Sequence, residues 1–474
     1  MKSVSLLSIL FSVLSFLSSE IVSETRIDFS EIWMKVRLRS AGLRAKAAEV
    51  KSVEIGKERA GKHWLPKIYA DVRSYRTDDP ALNFTGKLGQ RSATTSDFST
   101  ESLRYQPSNF LGPDNRPYTE PNANNAELFA KDTLNHPGGH TYSRGTLGIE
   151  LPLFEGGGKI AAHSLLENRL SAVKSEEQYL IHLEYSNAAA AYQTVSLAEE
   201  NLSRTETLLR EIKNFLSNYR LGNRSNPVGF SGFLSLKTLQ NILEISKKEH
   251  ETLRSTSEER LRFMTDDLPE DFKPRRTPLL RFADEFLPLP DPHNAGKTDL
   301  SEAYRLRSEE AKEAVKAERS KFLPKIAAFA ESYTYDGSRD RANAYNAGLY
   351  LRMNLLDPSD LGAMDQAKAD LDVARKKAEE TKLREESSFR ILILKERNTL
   401  ENLNSIYDSM RIQEEQLRIS AKLFREGTIS APQMAESFSK SAELLRMKSD
   451  AESEYLKTRA ELSLYSKRGA RHEN

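Results

Sequence analysis

The chain has 474 residues, of which 38% are hydrophobic and 29% charged, with a formal net charge of +1. So balanced a charge leaves no electrostatic footprint for nucleic acid, and the lack of cysteine excludes disulfides, thiolate metal sites and cysteine nucleophiles together. The length suits about three globular domains, unless internal repetition sets the architecture.

Residues 1–23 have the build of an export signal. Lys2 supplies the positive start, Leu6 to Leu17 the apolar core, and Ser18, Ser19 and Ser23 small residues for cleavage. That core is too short to span about 30 Å of hydrocarbon, and no later run reaches the roughly 18 apolar residues of a membrane helix. Residues 27–64 read as helix, with Ile32, Val36, Leu43, Ala47 and Val50 at threes, fours and sevens. Pro66 stops it, because proline lacks the N–H a helix interior needs and pushes the preceding residue toward extended geometry. A strand follows. Ile68, Ala70, Val72 and Ser74 face one way, and Lys67, Asp71 and Arg73 the other.

Residues 76–143, rich in Asn, Pro, Ser, Thr and Gly, read as a long exposed loop. Alternation returns at 144–155, where Leu147, Ile149, Leu151 and Leu153 oppose Thr146, Gly148 and Glu150. Pro152 and Gly156 mark the joint to the next helix, which runs without proline or glycine from 159 to about 220. Such a helix is near 90 Å long, a length that suits coiled packing and no globular core. Gly222 predicts a left-handed C-cap, and Asn226-Pro227 predicts the cap of a second helix ending near 267. Six prolines between 268 and 293 read as a linker.

The second half replays the first. Residues 64–75 (Trp-Leu-Pro-Lys-Ile-Tyr-Ala-Asp-Val-Arg-Ser-Tyr) and 322–333 (Phe-Leu-Pro-Lys-Ile-Ala-Ala-Phe-Ala-Glu-Ser-Tyr) match at seven of twelve positions. Pro324 is the second helix-to-strand joint, and Ala347, Leu349 and Leu351 alternate with Gly348, Tyr350 and Arg352. A helix over 361–425 stops at Phe424-Arg-Glu-Gly-Thr-Ile-Ser430, matching Tyr219-Arg-Leu-Gly-Asn-Arg-Ser225. The expected organisation is a signal at 1–23, repeats at 24–267 and 299–468, a linker at 268–298 and a tail at 469–474. Repetition on this scale is the first thing to test in any chain.

Each half thus reads helix, strand, strand, long helix, turn, helix. Four strands with one apolar face either cover a small soluble core or face lipid. Facing lipid, they must close into a barrel, since unpaired edges are not tolerated there. Four strands cannot enclose a pore, whereas three chains supply twelve. The expected fold class is therefore mainly α with a small β part, long helical hairpins plus four transmembrane strands per protomer.

Leu65-Pro66 and Leu323-Pro324, Pro152-Leu-Phe-Glu-Gly-Gly157, and the Arg-x-Gly-x-x-Ser turns at 220–225 and 425–430 together resemble the TolC-like outer-membrane efflux family, over nearly all of the chain. The resemblance implies a homotrimer with a twelve-stranded barrel in outer-membrane lipid. It also implies a periplasmic helical tunnel, docked to a periplasmic adaptor and an inner-membrane transporter. Carried over, the adaptor-contacting tips are Arg220, Leu221, Gly222 and Asn223, with Arg425, Glu426, Gly427 and Thr428. The family narrows its tunnel just past the second tip, which falls here at Gln433, where an aspartate is frequent, and at Glu436. Leu356-Asp357-Pro358 stands where the first repeat has Phe-x-Gly-Gly, a departure at the second joint.

Chemistry is not expected. His136 and His140 share a loop without a third ligand, and Gly156-Gly-Gly-Lys159 lacks the span and hydroxyl of a P-loop. No catalytic constellation, cofactor or metal site is read. A soluble periplasmic coiled-coil scaffold or chaperone is the other reading of the long charged helices. The alternating stretches oppose it.

Overall fold

A computed structural model gives the fold and describes residues 26–98, 111–119, 133–219, 225–291 and 296–466. The expected signal segment, the first tip at 220–223 and the tail at 469–474 lie outside the described residues. The chain forms two compact units, one from Met1–Glu54, Asn168–Glu309 and Asp372–Asn474, the other from Ile55–Glu167 and Glu310–Leu371. Each takes pieces of both sequence repeats.

The first unit is helical. The run expected as one helix over 27–64 is two, α1 (Phe29–Arg39) and α2 (Ala41–Gly61). Ser40 divides them because its hydroxyl accepts from the Leu43 N–H at 3.4 Å, the capping role serine takes in preference to a helix interior. After α3 (Pro80–Gly89), which belongs to the second unit, come α4 (Gly158–Asn218) and α5 (Pro227–Thr265). The later pair is α8 (Ala363–Arg425) and α9 (Ala431–Ser463), which follow α6 (Leu279–Phe286) and α7 (Asp299–Ser320). With 61 and 63 residues, α4 and α8 each run a little over 90 Å. Phe29, Ile32, Trp33 and Val36 of α1 insert among Tyr185, Ala188, Tyr192 and Val195 of α4 and Leu261 and Met264 of α5. The Phe29 ring meets Tyr185 edge-on at 5.3 Å, the favoured approach for aromatic quadrupoles.

The proline-rich stretch is partly folded. Between Pro278 and Pro288 it folds as α6 and buries Leu279, Phe282, Ala283 and Leu287 in the same core. Arg459 of α9, 2% exposed, holds it there. Its guanidinium donates to the Leu287 carbonyl at 2.9 and 3.1 Å, to the Ala283 carbonyl at 3.0 Å and to Asp284 at 3.0 Å. It also faces Glu396 at 3.4 Å. Prolines bracket this helix without entering it, so proline density concealed it.

The second unit carries one antiparallel sheet in the order β1-β2-β3-β4, with β1 at Lys67–Thr77, β2 at His140–Glu155, β3 at Lys325–Gly337 and β4 at Arg341–Arg352. Register pairs Lys67 with Glu150, Glu150 with Phe329, and Phe329 with Gly348. The stretch 76–143 is not the uniform loop its composition suggested. It holds the helix α3 and a 3-10 turn at Thr95–Phe98. Pro152 sits inside β2 at a register shift rather than at the joint. The β1 ladder ends at Glu150, so one edge of β2 is already free where the proline withholds its donor.

Replacing Arg459 with Ala strands the Leu287 carbonyl and the Glu396 carboxylate. The expected loss is about 3 kcal/mol or more, read as a fall of several degrees in the thermal unfolding midpoint followed by circular dichroism. An unchanged midpoint would refute the assigned role.

Candidate channel wall and helix tips

Register sorts the sheet residues onto two unlike faces. One carries Ile68, Ala70 and Val72, then Leu147, Ile149 and Leu151, then Ile326, Ala328 and Ala330, then Ala347, Leu349 and Leu351. These include the positions whose alternation marked the strands, and all but the half-buried Ile326 and Ala328 are exposed. Val72 is 79% and Leu349 70% exposed. The other face is polar and aromatic. Tyr69 lies across Gly148, where a Cβ would strike its ring, and donates to Glu331 two strands away. Tyr333 donates to the same carboxylate, and Tyr350 donates to Glu150 at 2.7 Å. The Arg144 guanidinium lies 4.3 Å from the Tyr333 ring centroid, within cation–π range.

At the hairpin end of the sheet, α3 lies on the polar face. Asp79 caps it, accepting from the Leu82 N–H at 3.0 Å, and Pro80 opens it. This Asp-Pro start was a readable signal that composition overshadowed. Asn83, 1% exposed, donates to the Thr77 carbonyl at 3.0 Å and accepts from the Tyr142 hydroxyl at 2.8 Å. Beyond the helix, Asp97 is gripped by two cations. Arg339 of the β3–β4 turn binds both its oxygens at 2.6 and 2.7 Å, and Lys87 binds one at 2.9 Å. The Arg339 guanidinium first, then Thr94 and Lys87, hold the Asp97 carboxyl well below its ordinary range against the opposing pull of burial.

The helix–strand joints repeat as their sequences do. Leu65 N–H donates to the Lys62 carbonyl and Leu323 N–H to the Ser320 carbonyl, both at 3.1 Å, ahead of Pro66 and Pro324. Gly156 and Gly157 turn β2 into α4 with φ of +65° and +79°. A Cβ at Gly156 would also lie 2.6 Å from the Ser320 carbonyl oxygen, so the first repeat's exit joint packs on the second repeat's entry joint. Where Leu356-Asp357-Pro358 replaces the glycines, the exit is longer, through a 3-10 turn at Pro358–Asp360 and Gly362 at φ +82°. It leaves Leu355 and Leu356 exposed.

Of the two tips, Arg220, Leu221, Gly222 and Asn223 lie outside the described residues; Arg425, Glu426, Gly427 and Thr428 are seen. Gly427 has φ +76°. Its N–H donates to the Phe424 carbonyl at 3.0 Å and the Thr428 N–H to the Leu423 carbonyl at 2.9 Å, which is a Schellman cap. At the first tip Asn226 caps α5 by accepting from the Gly229 N–H at 3.1 Å. A Cβ at Gly232 of α5 would lie 2.6 Å from that of Ala431 in α9, so the starts of these two helices touch. Gln433 is occupied locally, its amide oxygen accepting from the Ser430 N–H at 2.8 Å. Glu436 is exposed and paired with Lys440 at 3.0 Å. Between the ends of α4 and α8 an open groove of about 910 Å³ is lined by Phe215, Tyr219, Leu417, Phe424 and Phe438.

His140 lies 3.0 Å from the Pro137 carbonyl through Nε2. Among the described residues no group of three His, Asp or Glu is placed to hold a metal. No described helix is long and apolar enough to cross a membrane, a statement about helices that does not bear on strands.

The chain combines a two-faced four-stranded sheet with very long helices, and solved structures share this fold. The chain is similar to the outer membrane protein VceC of Vibrio cholerae, with a TM-score of 0.67 at 14% identity over 92% of this chain and 94% of that one. It is similar to the CmeC outer membrane channel of Campylobacter jejuni, with a TM-score of 0.68 at 10% identity over 93% and 85%. It is also similar to the open state of the Neisseria gonorrhoeae MtrE outer membrane channel, with a TM-score of 0.66 at 14% identity over 93% and 89%. No protein-family model matches the chain, and no curated protein matches it in sequence. The chain has the fold of the TolC-like outer membrane channels.

The two joint glycines separate strain from clash. Gly157→Ala meets open space and carries only the left-handed backbone cost of about 1–2 kcal/mol. Gly156→Ala adds the collision with Ser320, so it lowers the unfolding midpoint further. Equal effects would show that the joint yields freely.

Asp97 sets a pH expectation. A carboxyl whose folded pKa is depressed stabilises fully well above its unfolded value of about 3.9 and loses that contribution progressively as pH falls from there to the lower folded value. Hydrogen exchange over α3, corrected for intrinsic rates, is expected to show equal protection at about pH 7 and about pH 5.5. Asp97→Asn is expected to lose protection at both. Loss in the unsubstituted protein already at about pH 5.5 would contradict the ion-pair geometry.

Proposed function

We propose that this protein is one protomer of a homotrimeric outer-membrane channel-tunnel. Each chain contributes four of twelve strands, and the long helices form a conduit on the periplasmic side. The observation that supports this most is the sheet itself. Its apolar face is largely bare, both its edge strands are long, and its opposite face is lined by hydrogen-bonded Tyr and Glu side chains. A water-exposed sheet of that kind would be an aggregation site, whereas a closed barrel satisfies every strand edge and turns the polar face to water. Transport is passive in this reading, without hydrolysis or cofactor, and energy comes from an inner-membrane transporter reached through a periplasmic adaptor.

The tips are proposed as the adaptor contact. Gly427 closes α8 with its own cap, so Arg425, Glu426 and Thr428 have no packing duty there, and exposed turns on a rigid support are where binding concentrates. Next to them, the aromatic groove between α4 and α8 offers apolar area to a partner helix. Glu436 and Gln433 line the aperture in this reading, with Lys440 moderating the acid.

The decisive measurement is the native mass of protein extracted by detergent from purified outer membranes, with and without cross-linking. The expected result is about three times the mass of one chain, stable only in detergent, with ion conductance on reconstitution into a lipid bilayer. A water-soluble monomer or dimer would overturn the channel and favour the periplasmic scaffold.

A further inference from the structure

Helix α3 lies on the polar face of the sheet, the face that a closed barrel turns inward. Register places Tyr142 and Tyr335 on that face, and the helix sits on both. A Cβ at Gly86 would come within 2.5 Å of the Tyr142 ring, and one at Gly89 within 2.7 Å of the Tyr335 ring. The remaining void in this seam is about 10 Å³, room for no more than one water. Ten residues of helix cover about 15 Å, which matches the roughly 14 Å across four strands. Contacts run the whole way. Asn83 bonds the end of β1, Arg91 donates to the Asn343 carbonyl of β4 at 3.3 Å, and Arg339 of the β3–β4 turn clamps Asp97.

Size decides what this does. Twelve strands about 4.8 Å apart and tilted about 40° enclose a backbone diameter near 24 Å. A helix with its side chains is about 10 Å across. Three of them, one per protomer, fill most of that bore, and Leu82 and Leu88 stand half-exposed on each. We propose that α3 is a plug of the channel's outer mouth, latched to the β3–β4 hairpin by the Lys87–Asp97–Arg339 cluster, and that the mouth opens when the latch releases. This rests on the trimeric channel reading above. The latch is built for durability, since Lys87 and Asp97 are 5% and 4% exposed and the arginine is bidentate.

The test is single-channel conductance of cross-linked trimers in a planar lipid bilayer. A Cβ at Gly337 would land on the Gln90 side chain, so Gln90→Cys with Gly337→Cys pins the plug in a chain that has no other cysteine. Asp97→Asn is expected to raise conductance several-fold over the unsubstituted channel. Asp97→Asn with the cysteine pair is expected to conduct weakly when oxidised and to recover the high level on adding reductant. That reversal within one preparation is an effect that misfolding does not produce. If the unsubstituted, Asp97→Asn and oxidised proteins conduct alike, the plug is refuted and the channel stands. If trimers of every variant fail to conduct, the channel reading itself falls.

Discussion

Unpaired backbone donors and acceptors along two sheet edges are the constraint on which the rest of this structure depends. Strands of 11 to 16 residues present a long row of such groups on β1 and β4, and the flank between them is apolar and bare. Water would satisfy the edges but penalise the flank, and lipid would do the reverse. In the proposed trimer, pairing edge to edge with further copies satisfies both at once. The polar face then needs no further explanation. Tyr69 and Tyr333 donate to Glu331 and Tyr350 donates to Glu150, so the polar face ties neighbouring strands together through its side chains.

Duplication explains why the joints had to be proline and glycine. Each half changes period from 3.6 to 2 and back within a few residues, and each change needs a device that neither helix nor strand tolerates. Leu-Pro-Lys does this on entry, with the same hydrogen bonds in both copies. On exit the halves diverge. The first uses two left-handed glycines, of which Gly156 packs on Ser320; the second uses a longer turn capped by Asp357. Close packing accounts for the difference, since only the first exit is pressed against a neighbouring carbonyl.

Legibility in the sequence followed the strength of local signals. The long helices, four strands, Asn226 cap and Gly427 turn were all readable, because periodicity over many residues and single residues with forced geometry need no tertiary context. Three features were not. Prolines at 278 and 288 signalled a linker, yet eight of the nine residues between them are a helix that buries an apolar face and whose end Arg459 holds by donating to its carbonyls. Pro152 looked like a strand end, and only the finishing point of the β1 ladder shows why it is tolerated inside β2. Helix α3 carries two glycines and one charge in ten residues, and its stability comes from the tyrosines beneath it rather than from propensity. What composition called a loop was an element specified from outside itself. The tips and aperture were located by family resemblance, and the described residues add their caps and ion pairs without naming a partner.

Helices as long as α4 and α8 raise a register problem that apolar packing alone leaves open. A seam of leucines at threes and fours is nearly self-similar after one turn, so a slide of about 5.4 Å would cost little area. A buried polar cluster removes that degeneracy. Lys448 of α9, 3% exposed, meets Glu452 at 2.7 Å and the Asn201 amide oxygen at 2.8 Å. Asn201 donates to Glu452 at 3.1 Å, and Tyr407 of α8 donates to the same carboxylate at 2.9 Å. Burial first, and then the Glu452 charge, keep the Tyr407 phenol protonated and donating. Three helices thus converge on one carboxylate, and any slide would leave a buried ammonium or carboxylate unmatched, at a cost of several kcal/mol. Polar groups fix which turn faces which, as a single asparagine does in a coiled coil. In this chain Lys448, Glu452, Asn201 and Tyr407 hold that register.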